Sequence, residues 1–383
     1  MRKNLLMWDQ TLFKDIEVFD IDFIPGQFDY RDTQIERLAF AVKPALIGGK
    51  VLNTICRGVP GTGKTTSVRK FFDEIEETTK KIIPIRINCQ IDSTEYAVFS
   101  RIYTRLTGNS APPSGTSFKA LIDMVAKYIA NEEITPLICL DDANYLIYSK
   151  EFNNVLYAVL RIHEVYENVS LGVIVVISDP DILMEEVIDA RVASVFRYET
   201  INFEPYSAAE VAGILSQRTL QGLYPNVLSS EQMDMIVDRT MQCGDVRIGL
   251  DLIKRSVMEA EINARLGVTT EDIQKAFSAS RDMHLFGMIN SLAADELQVL
   301  GQIVKMTSPE KFITTGDVRR AMPKNTATPK LTRFNDIIDK FNNIHLISMG
   351  YANKGEGRKR YVNLRDDKNR VEKLLRKKTG LKM

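Results

Sequence analysis

Eight consecutive residues, Gly58-Val59-Pro60-Gly61-Thr62-Gly63-Lys64-Thr65, fit the pattern G-x-x-x-x-G-K-[ST] at every fixed position. The chemistry this spacing allows is the cradling of a polyphosphate. Glycines let backbone N–H groups turn inward and approach phosphate oxygens closely. Lys64 would reach the β- and γ-phosphates, and the Thr65 hydroxyl would bind Mg²⁺. The expected nucleotide contacts are therefore Val59, Pro60, Gly61, Thr62, Gly63, Lys64, Thr65 and Thr66, with ATP or ADP and Mg²⁺ as the cofactors. A second group of acids, Leu137-Ile138-Cys139-Leu140-Asp141-Asp142, ends an apolar run. There Asp141 would hold Mg²⁺ together with Thr65, and Asp142 would orient an attacking water. Either motif alone has a plain alternative, a tight turn or an ordinary strand ending in Asp. Their occurrence in this order favours one site.

Those residues need a strand, a loop and a helix to position them. The apolar run 51–56 reads as a buried strand before the loop. Val68, Phe71, Phe72 and Ile75 share one face of a helix after it, whose N-terminus adds a field favourable to anions. Further strands are expected over 82–88, 137–141, 171–178 and 195–203, with amphipathic helical stretches between them. This alternation predicts an α/β core with a parallel sheet. From 207 to about 281 the pattern turns all-helical. Ser207 and Glu210 form a capping box, and Thr269 or Thr270 caps the last of these helices. Residues 281–290 lack an amphipathic pattern and read as a linker or a weakly packed helix. The expected domains are 1–206, 207–283 and 291–383.

Composition narrows the class. The 383 residues contain 50 Lys+Arg against 50 Asp+Glu. That balance conceals an asymmetry, since 300–383 carries 20 basic and 8 acidic residues and the rest of the chain is correspondingly acidic. A basic end on an acidic body suggests a nucleic-acid-binding appendage, although a solvated basic surface has the same composition. The longest apolar run, 171–177, is too short to cross a bilayer, and the N-terminus makes a poor signal peptide. The four cysteines form no C-x-x-C pair and the three histidines no zinc spacing. A cytoplasmic, nucleoid-associated protein without membrane contact is expected.

The chain resembles an AAA+ ATPase of the archaeal replication-initiator type, related to the largest origin-recognition subunit and its helicase-loading relative. The resemblance covers nearly the whole chain. Residues 23–32, Phe-Ile-Pro-Gly-Gln-Phe-Asp-Tyr-Arg-Asp, are similar to the family segment that cups adenine. Arg86-Ile87-Asn88-Cys89-Gln90 and Thr94 resemble the second strand and the start of a helical insertion over 93–117. Asp189-Ala190-Arg191-Val192-Ala193-Ser194 resembles the arginine-finger element, and Phe203-Glu204-Pro205-Tyr206-Ser207 with Ile214 the start of a helical lid. Gly244-Asp245-Val246-Arg247 resembles the second sensor. The resemblance implies nucleotide contacts from Ile24, Pro25, Arg31, Tyr206 and Ile214. It also implies a finger role for Arg191 on a neighbouring subunit and a γ-phosphate contact for Arg247. As local readings, Arg191 has a purely structural role as a near rival, and Arg247 has a surface salt bridge as its alternative.

Two departures from the family bear on turnover. The family usually ends the strand in Asp-Glu, but this chain has Asp141-Asp142. The shorter side chain draws the second carboxylate back by roughly an ångström, a displacement that can cost about a hundredfold in rate. The first sensor is usually Asn, whereas Ile177-Ser178 is followed here by Asp179. A carboxylate cannot donate to a γ-phosphate and adds negative charge beside it. Tight nucleotide binding with weak ATPase activity is expected.

The C-terminal residues read as a winged helix. A first helix covers about 291–305, and a second follows Thr314 or Thr315 with Val318 and Met322 inward. A third, begun by Thr328 and Pro329, buries Leu331, Phe334, Ile338 and Phe341. Lys330, Thr332, Arg333 and Asn335 would contact bases from its first two turns. Strands over 346–352 and 360–364 flank a basic tip, so Lys354, Arg358, Lys359 and Arg360 would meet the backbone. The resulting expectation is an ATP-binding initiator that recognises origin duplex DNA through the winged helix and the insertion over 93–117, with nucleotide state controlling assembly or helicase recruitment. A replicative helicase or a paralogous initiator is the expected partner. A nucleotide-holding transcriptional or plasmid-maintenance regulator is the alternative, and a clamp-loader-like ATPase a weaker one, because the basic winged helix is foreign to clamp loaders.

Overall fold

A computed structural model describes residues 11–383 except 27, 112–114, 167–168, 180–181, 309–312, 324–328, 345, 352–359 and 380–383. The chain divides into two compact units. One runs from Ile24 to Pro205, and the other joins the segment up to Phe23 to Tyr206–Met383.

The first unit is a parallel five-stranded sheet. Its strands are β1 Asn53–Arg57, β2 Ile82–Asn88, β3 Thr135–Asp141, β4 Gly172–Ile177 and β5 Tyr198–Asn202, ordered β2-β3-β4-β1-β5. The helices are α1 Asp32–Leu46, α2 Lys64–Thr78, α3 Glu95–Thr107, α4 Phe118–Glu132, α5 Asn144–Tyr148, α6 Phe152–Leu160, α7 Met184–Val187 and α8 Ala190–Ala193. The central strands β3 and β4 are apolar at nearly successive positions and buried on both faces, whereas edge strand β5 buries Ile201 and little else. Ile138 and Leu140 enter the core with α3, α4 and α6, whereas Leu137 and Cys139 enter the opposite core with α1 and α2. Val68, Phe71, Phe72 and Ile75 of α2 are all buried there, as their spacing predicts. Burial pushes the Cys56 thiol up to about 12, and it likewise raises Cys89 and Cys139. These thiols therefore stay protonated and pack as small apolar groups.

The second unit contains α9 Ala208–Gly222, α10 Ser230–Cys243, α11 Val246–Ile262 and α12 Thr270–Ser291. Both expected caps form: the capping box of Ser207 with Glu210, and that of Thr269 with Asp272. Two expectations change in this unit. The segment 11–23 does not extend the sheet unit; Phe13 and Phe19 bury among the helices α9 to α12, and Leu12 donates its N–H to Glu261. Residues 281–290 take the helical alternative and not the linker, as the second half of α12, but they are well packed. Leu285 and Ile289 there are fully buried, in a different core from Ile273 and Phe277 of the first half.

That other core is built by α13 Ala294–Met306, α14 Thr315–Ala321, α15 Leu331–Asn343 and α16 Lys368–Thr379. Around them runs an antiparallel sheet of β6 Ile313–Thr314, β7 Ile347–Tyr351 and β8 Arg360–Leu364, ordered β6-β8-β7. This is the element order of a winged helix. Thr314 caps α14 and Val318 and Met322 are buried. The start of α15 differs from expectation. Thr328 lies outside the described residues, and Lys330 is the residue before the helix. Leu331 is 63% exposed, because the first turn projects beyond the core; Ile337 takes the buried place beside Phe334, Ile338 and Phe341.

Candidate nucleotide site and nucleic-acid surface

The phosphate loop leaves β1 at the carboxyl end of the sheet, where open α/β sheets bind ligands. Gly61 and Gly63 adopt φ of 77° and 87°, left-handed values that a side chain would strain. Gly58 faces the Phe203 carbonyl so closely that a Cβ could not be accommodated. Gly63 ends the loop directly before α2, and Ser67 returns its N–H to the Gly63 carbonyl at 2.8 Å. The cradle is thus closed by backbone, in a shape only glycine permits.

Lys64 is 4% exposed, and its Nζ donates to the Gly58 and Val59 carbonyls, each at 2.8 Å. Thr65 Oγ1 donates to Asp141 Oδ1 at 2.9 Å, so the two residues expected to share Mg²⁺ are already in contact. An alcohol and a carboxylate are the hard oxygen donors that Mg²⁺ prefers, and one or two protein groups suffice when phosphates supply the rest. The donor set therefore fits this ion. Among the described residues, no cluster of three or more His, Cys, Asp or Glu suggests another metal site.

The remaining acids lie on adjacent strand ends. Asp142 follows β3 with φ of 54° and accepts a hydrogen bond from Ser178 Oγ at 3.2 Å. Asp179 follows β4 and accepts from the Tyr148 hydroxyl. Arg31 is 4% exposed; it donates to the Thr62 carbonyl at 2.9 Å and the Glu204 carbonyl at 2.8 Å. It clips the phosphate loop to the chain leaving β5, so its guanidinium is a brace for the loop. Pro25 is buried and Ile24 half-buried in the same unit.

Arg191, at the start of α8, is paired with Asp189 at 2.6 Å and lies over the Tyr157 ring at 5.4 Å. Its hydrogen bond holds the Asp189 carboxyl below the usual range. Tyr206, Ile214 and Arg247 belong to the second unit. Tyr206 is buried in the helical core with Ile214 at its margin, and Arg247 pairs with Asp245 at 2.5 Å.

Two contacts at the site were not legible as site residues: Arg86, whose Nη1 donates to Asp141 Oδ2 at 2.8 Å, and Tyr148. Arg86 does leave a trace. It is the one charged residue in the strand sequence Ile82-Ile83-Pro84-Ile85-Arg86-Ile87-Asn88.

On the winged helix, Lys330, Thr332 and Asn335 are exposed at the start of α15. Arg333 is half-buried and engaged by carboxylates. It donates to Asp295 at 2.9 Å and to Glu296 at 3.1 Å, and Lys340 reaches Glu296 at 2.9 Å. Glu296 is 1% exposed, so both cations neutralise a buried carboxylate. Base contact by Arg333 would require breaking that network. Arg360 lies 3.4 Å from Asp339, whereas Lys354, Arg358 and Lys359 lie outside the described residues. No helix among the described residues is long and apolar enough to cross a membrane.

Comparison with known proteins agrees with this anatomy. The family model of the Cdc6 AAA+ ATPase-type lid domain matches residues 212–278, and that of an AAA domain matches 52–183. The chain is 38% identical to ORC1-type DNA replication protein 3 of Haloarcula marismortui, covering 96% of this chain and 97% of the relative. It is also 38% identical to ORC1-type DNA replication protein 2 of Methanosarcina mazei, covering 94% and 95%. Among solved structures, the Aeropyrum pernix ORC2 protein in its ADPNP–ADP complexes gives a TM-score of 0.75 at 21% identity, over 97% of this chain and 100% of that one. The Aeropyrum pernix ORC1 protein in complex with DNA gives 0.65 at 24% identity, over 97% and 98%. At those identities the solved structures establish the fold.

Proposed function

This chain belongs to the ORC1-type family of AAA+ DNA replication proteins, and from that premise we propose that it is an ATP-regulated initiator gripping duplex DNA at a replication origin. The observation that carries the reading is one chain in which Lys64, Thr65 and Asp141 meet at a glycine cradle and a basic winged helix follows. The relatives are named for DNA replication, and one structural neighbour holds DNA while another holds adenine nucleotides.

The mechanism follows from how the residues are held. Lys64 would exchange two backbone carbonyls for β- and γ-phosphate oxygens. Thr65 and Asp141 would hold Mg²⁺, which supplies positive charge to the phosphates. Arg31 fixes the loop while Lys64 changes partners. Arg247, as second sensor, would give up Asp245 for the γ-phosphate. Asp142 has the role of orienting water, but its short side chain and its bond to Ser178 argue for slow turnover. Asp179 accepts from Tyr148 and has no proton to donate. Lys330, Thr332 and Asn335 would read bases, and the basic tip would grip the backbone. Nucleotide state would set assembly or the recruitment of a replicative helicase or a paralogous initiator.

Footprinting across the source genome tests the reading. Protection beside the replication start, strengthened by ATP, is the expected outcome. Protection confined to promoters would favour a transcriptional regulator instead.

A further inference from the structure

We propose that Arg86 is a positioning residue that competes with the divalent cation for Asp141 and so sets the Mg²⁺ concentration at which the nucleotide site loads. The inference rests on the reading of Thr65 and Asp141 as the metal pair.

Asp141 is 4% exposed, and both of its carboxylate oxygens are occupied. Oδ1 accepts from the Thr65 hydroxyl at 2.9 Å and Oδ2 accepts from the Arg86 guanidinium at 2.8 Å. The two partners differ in kind. A hydroxyl that donates its proton to Asp141 keeps its oxygen lone pairs, so Thr65 can bind a metal without releasing the carboxylate. A guanidinium has donors only and carries a full positive charge. Its bond occupies an oxygen lone pair and places like charge beside the incoming cation. In a poorly solvated site such repulsion is felt much more than in bulk water.

Arg86 is suited to yield as well as to hold. It sits on β2, the edge strand, at a position paired in register with Cys139 of β3, two residues before Asp141. Its side chain is 40% exposed, against 6% for that of Asp141, so the arginine can withdraw to solvent while the acid stays. It also lines an open cleft of about 300 Å³ into which the guanidinium can withdraw; Asp73 lines the same cleft, whereas Glu76 there is already paired with Arg105. The charge that Arg86 would leave on Asp141 is the one the incoming cation neutralises, so its withdrawal does not strand a buried carboxylate.

The test is equilibrium binding of a fluorescent, non-hydrolysable ATP analogue across a Mg²⁺ titration. Wild type, Arg86→Gln, Arg86→Lys and Asp141→Asn are compared. Arg86→Gln should lower the half-saturating Mg²⁺ concentration about fivefold, the upper scale of one partly exposed ion pair. Arg86→Lys keeps the charge and should stay within about twofold of wild type. Should the glutamine form not fold, Arg86→Met serves as the uncharged variant of similar length. An unchanged or raised Mg²⁺ midpoint in a folded uncharged variant overturns the proposal, the raised case marking Arg86 as a phosphate ligand. Failure of the underlying reading looks different. Wild type would then bind the analogue equally well with and without Mg²⁺, and Asp141→Asn would change nothing.

Discussion

Lys64 of the sheet unit and Arg333 of the winged helix are both cations expected to meet nucleic-acid or nucleotide phosphates and bases, and the protein holds them differently. Lys64 rests on two neutral carbonyls of its own loop. Arg333 rests on two carboxylates, one of them 1% exposed. Exchanging a carbonyl for a phosphate oxygen gains charge complementarity and leaves behind only a loop amide that water can reach. Withdrawing Arg333 strips one of two cations from a buried carboxylate and leaves Lys340 to hold it, which is destabilising. The first cation is therefore poised to move and the second is committed to the fold. A basic residue at the start of a helix in the winged-helix position is not by that fact a reader of DNA.

The largest effect should follow from removing the poised cation. Lys64→Ala is expected to lower ATP and ADP affinity by roughly a hundredfold or more, since charge-assisted bonds to phosphate are lost. Its thermal unfolding should change little, because the carbonyls it leaves can be hydrated. Co-purification of the variant with nucleotide at wild-type stoichiometry would refute the site.

The acids that follow the sheet strands give the next test. Asp142→Glu with Asp179→Asn restores the longer carboxylate and the amide donor. Single-turnover hydrolysis of pre-bound ATP should rise by about ten- to a hundredfold, the scale of an ångström's misplacement. Tyr148 would then face an amide, which can still accept its hydroxyl proton through the carbonyl oxygen. A wild-type rate already equal to that of brisk AAA+ ATPases, collapsing in Asp142→Ala, would sink the slow-switch reading.

Arg333 separates stability from recognition. Arg333→Ala should destabilise the winged helix by about 2 kcal/mol in urea unfolding, with Lys340 left to partner Glu296. Lys330→Ala should leave unfolding within about 0.5 kcal/mol and instead reduce discrimination between the specific site and random duplex by about 1 kcal/mol. Equal and opposite results, a stable Arg333→Ala with relaxed specificity, would return Arg333 to the DNA surface.

The two regions also differed in what their residues disclosed. The phosphate loop was legible because its backbone shape demands glycine at fixed positions and its chemistry demands Lys-Thr. The parallel sheet needed no more than apolar runs alternating with helices, whereas its strand order came only with the structure. Arg86 was illegible as a site residue because its partner lies on another strand; only the register of β2 against β3 brings it to Asp141. The second half of α12 was illegible for a different reason. Ile273, Phe277 and Ser280 mark one buried stripe, whereas Leu285, Ile289 and Leu292 mark another displaced by one residue, about 100° around the helix. One helix serving two cores cancels its own periodicity. Leu331 misled in the opposite sense, since spacing alone cannot show that a first helical turn projects past its core.

The smallest expected effect is on acid stability, and its sign follows from Arg333 and Asp295. Burial alone would raise the Asp295 carboxyl, but the hydrogen bond and charge of Arg333 outweigh it and hold the group below its ordinary value. A carboxyl lowered in the folded state contributes stability that is present above the unfolded pKa, about 3.9 for Asp, and is lost as pH falls through the folded value. The side chains of this pair are 30% and 41% exposed, so solvent screening limits the contribution to no more than about 1 kcal/mol. The gap between the urea midpoints of wild type and Arg333→Gln, measured from pH 7 to pH 3, should therefore narrow toward the acid end. Asp272 of the lid is lowered in the same direction by Arg265 and Thr269, against its own burial, so both proteins will lose some stability in acid. Only the difference between them reports on Arg333. A gap that stays constant down to pH 3 would mean that the arginine stabilises through packing over α13 and not through its charge, and the contrast with Lys64 would lose its electrostatic basis.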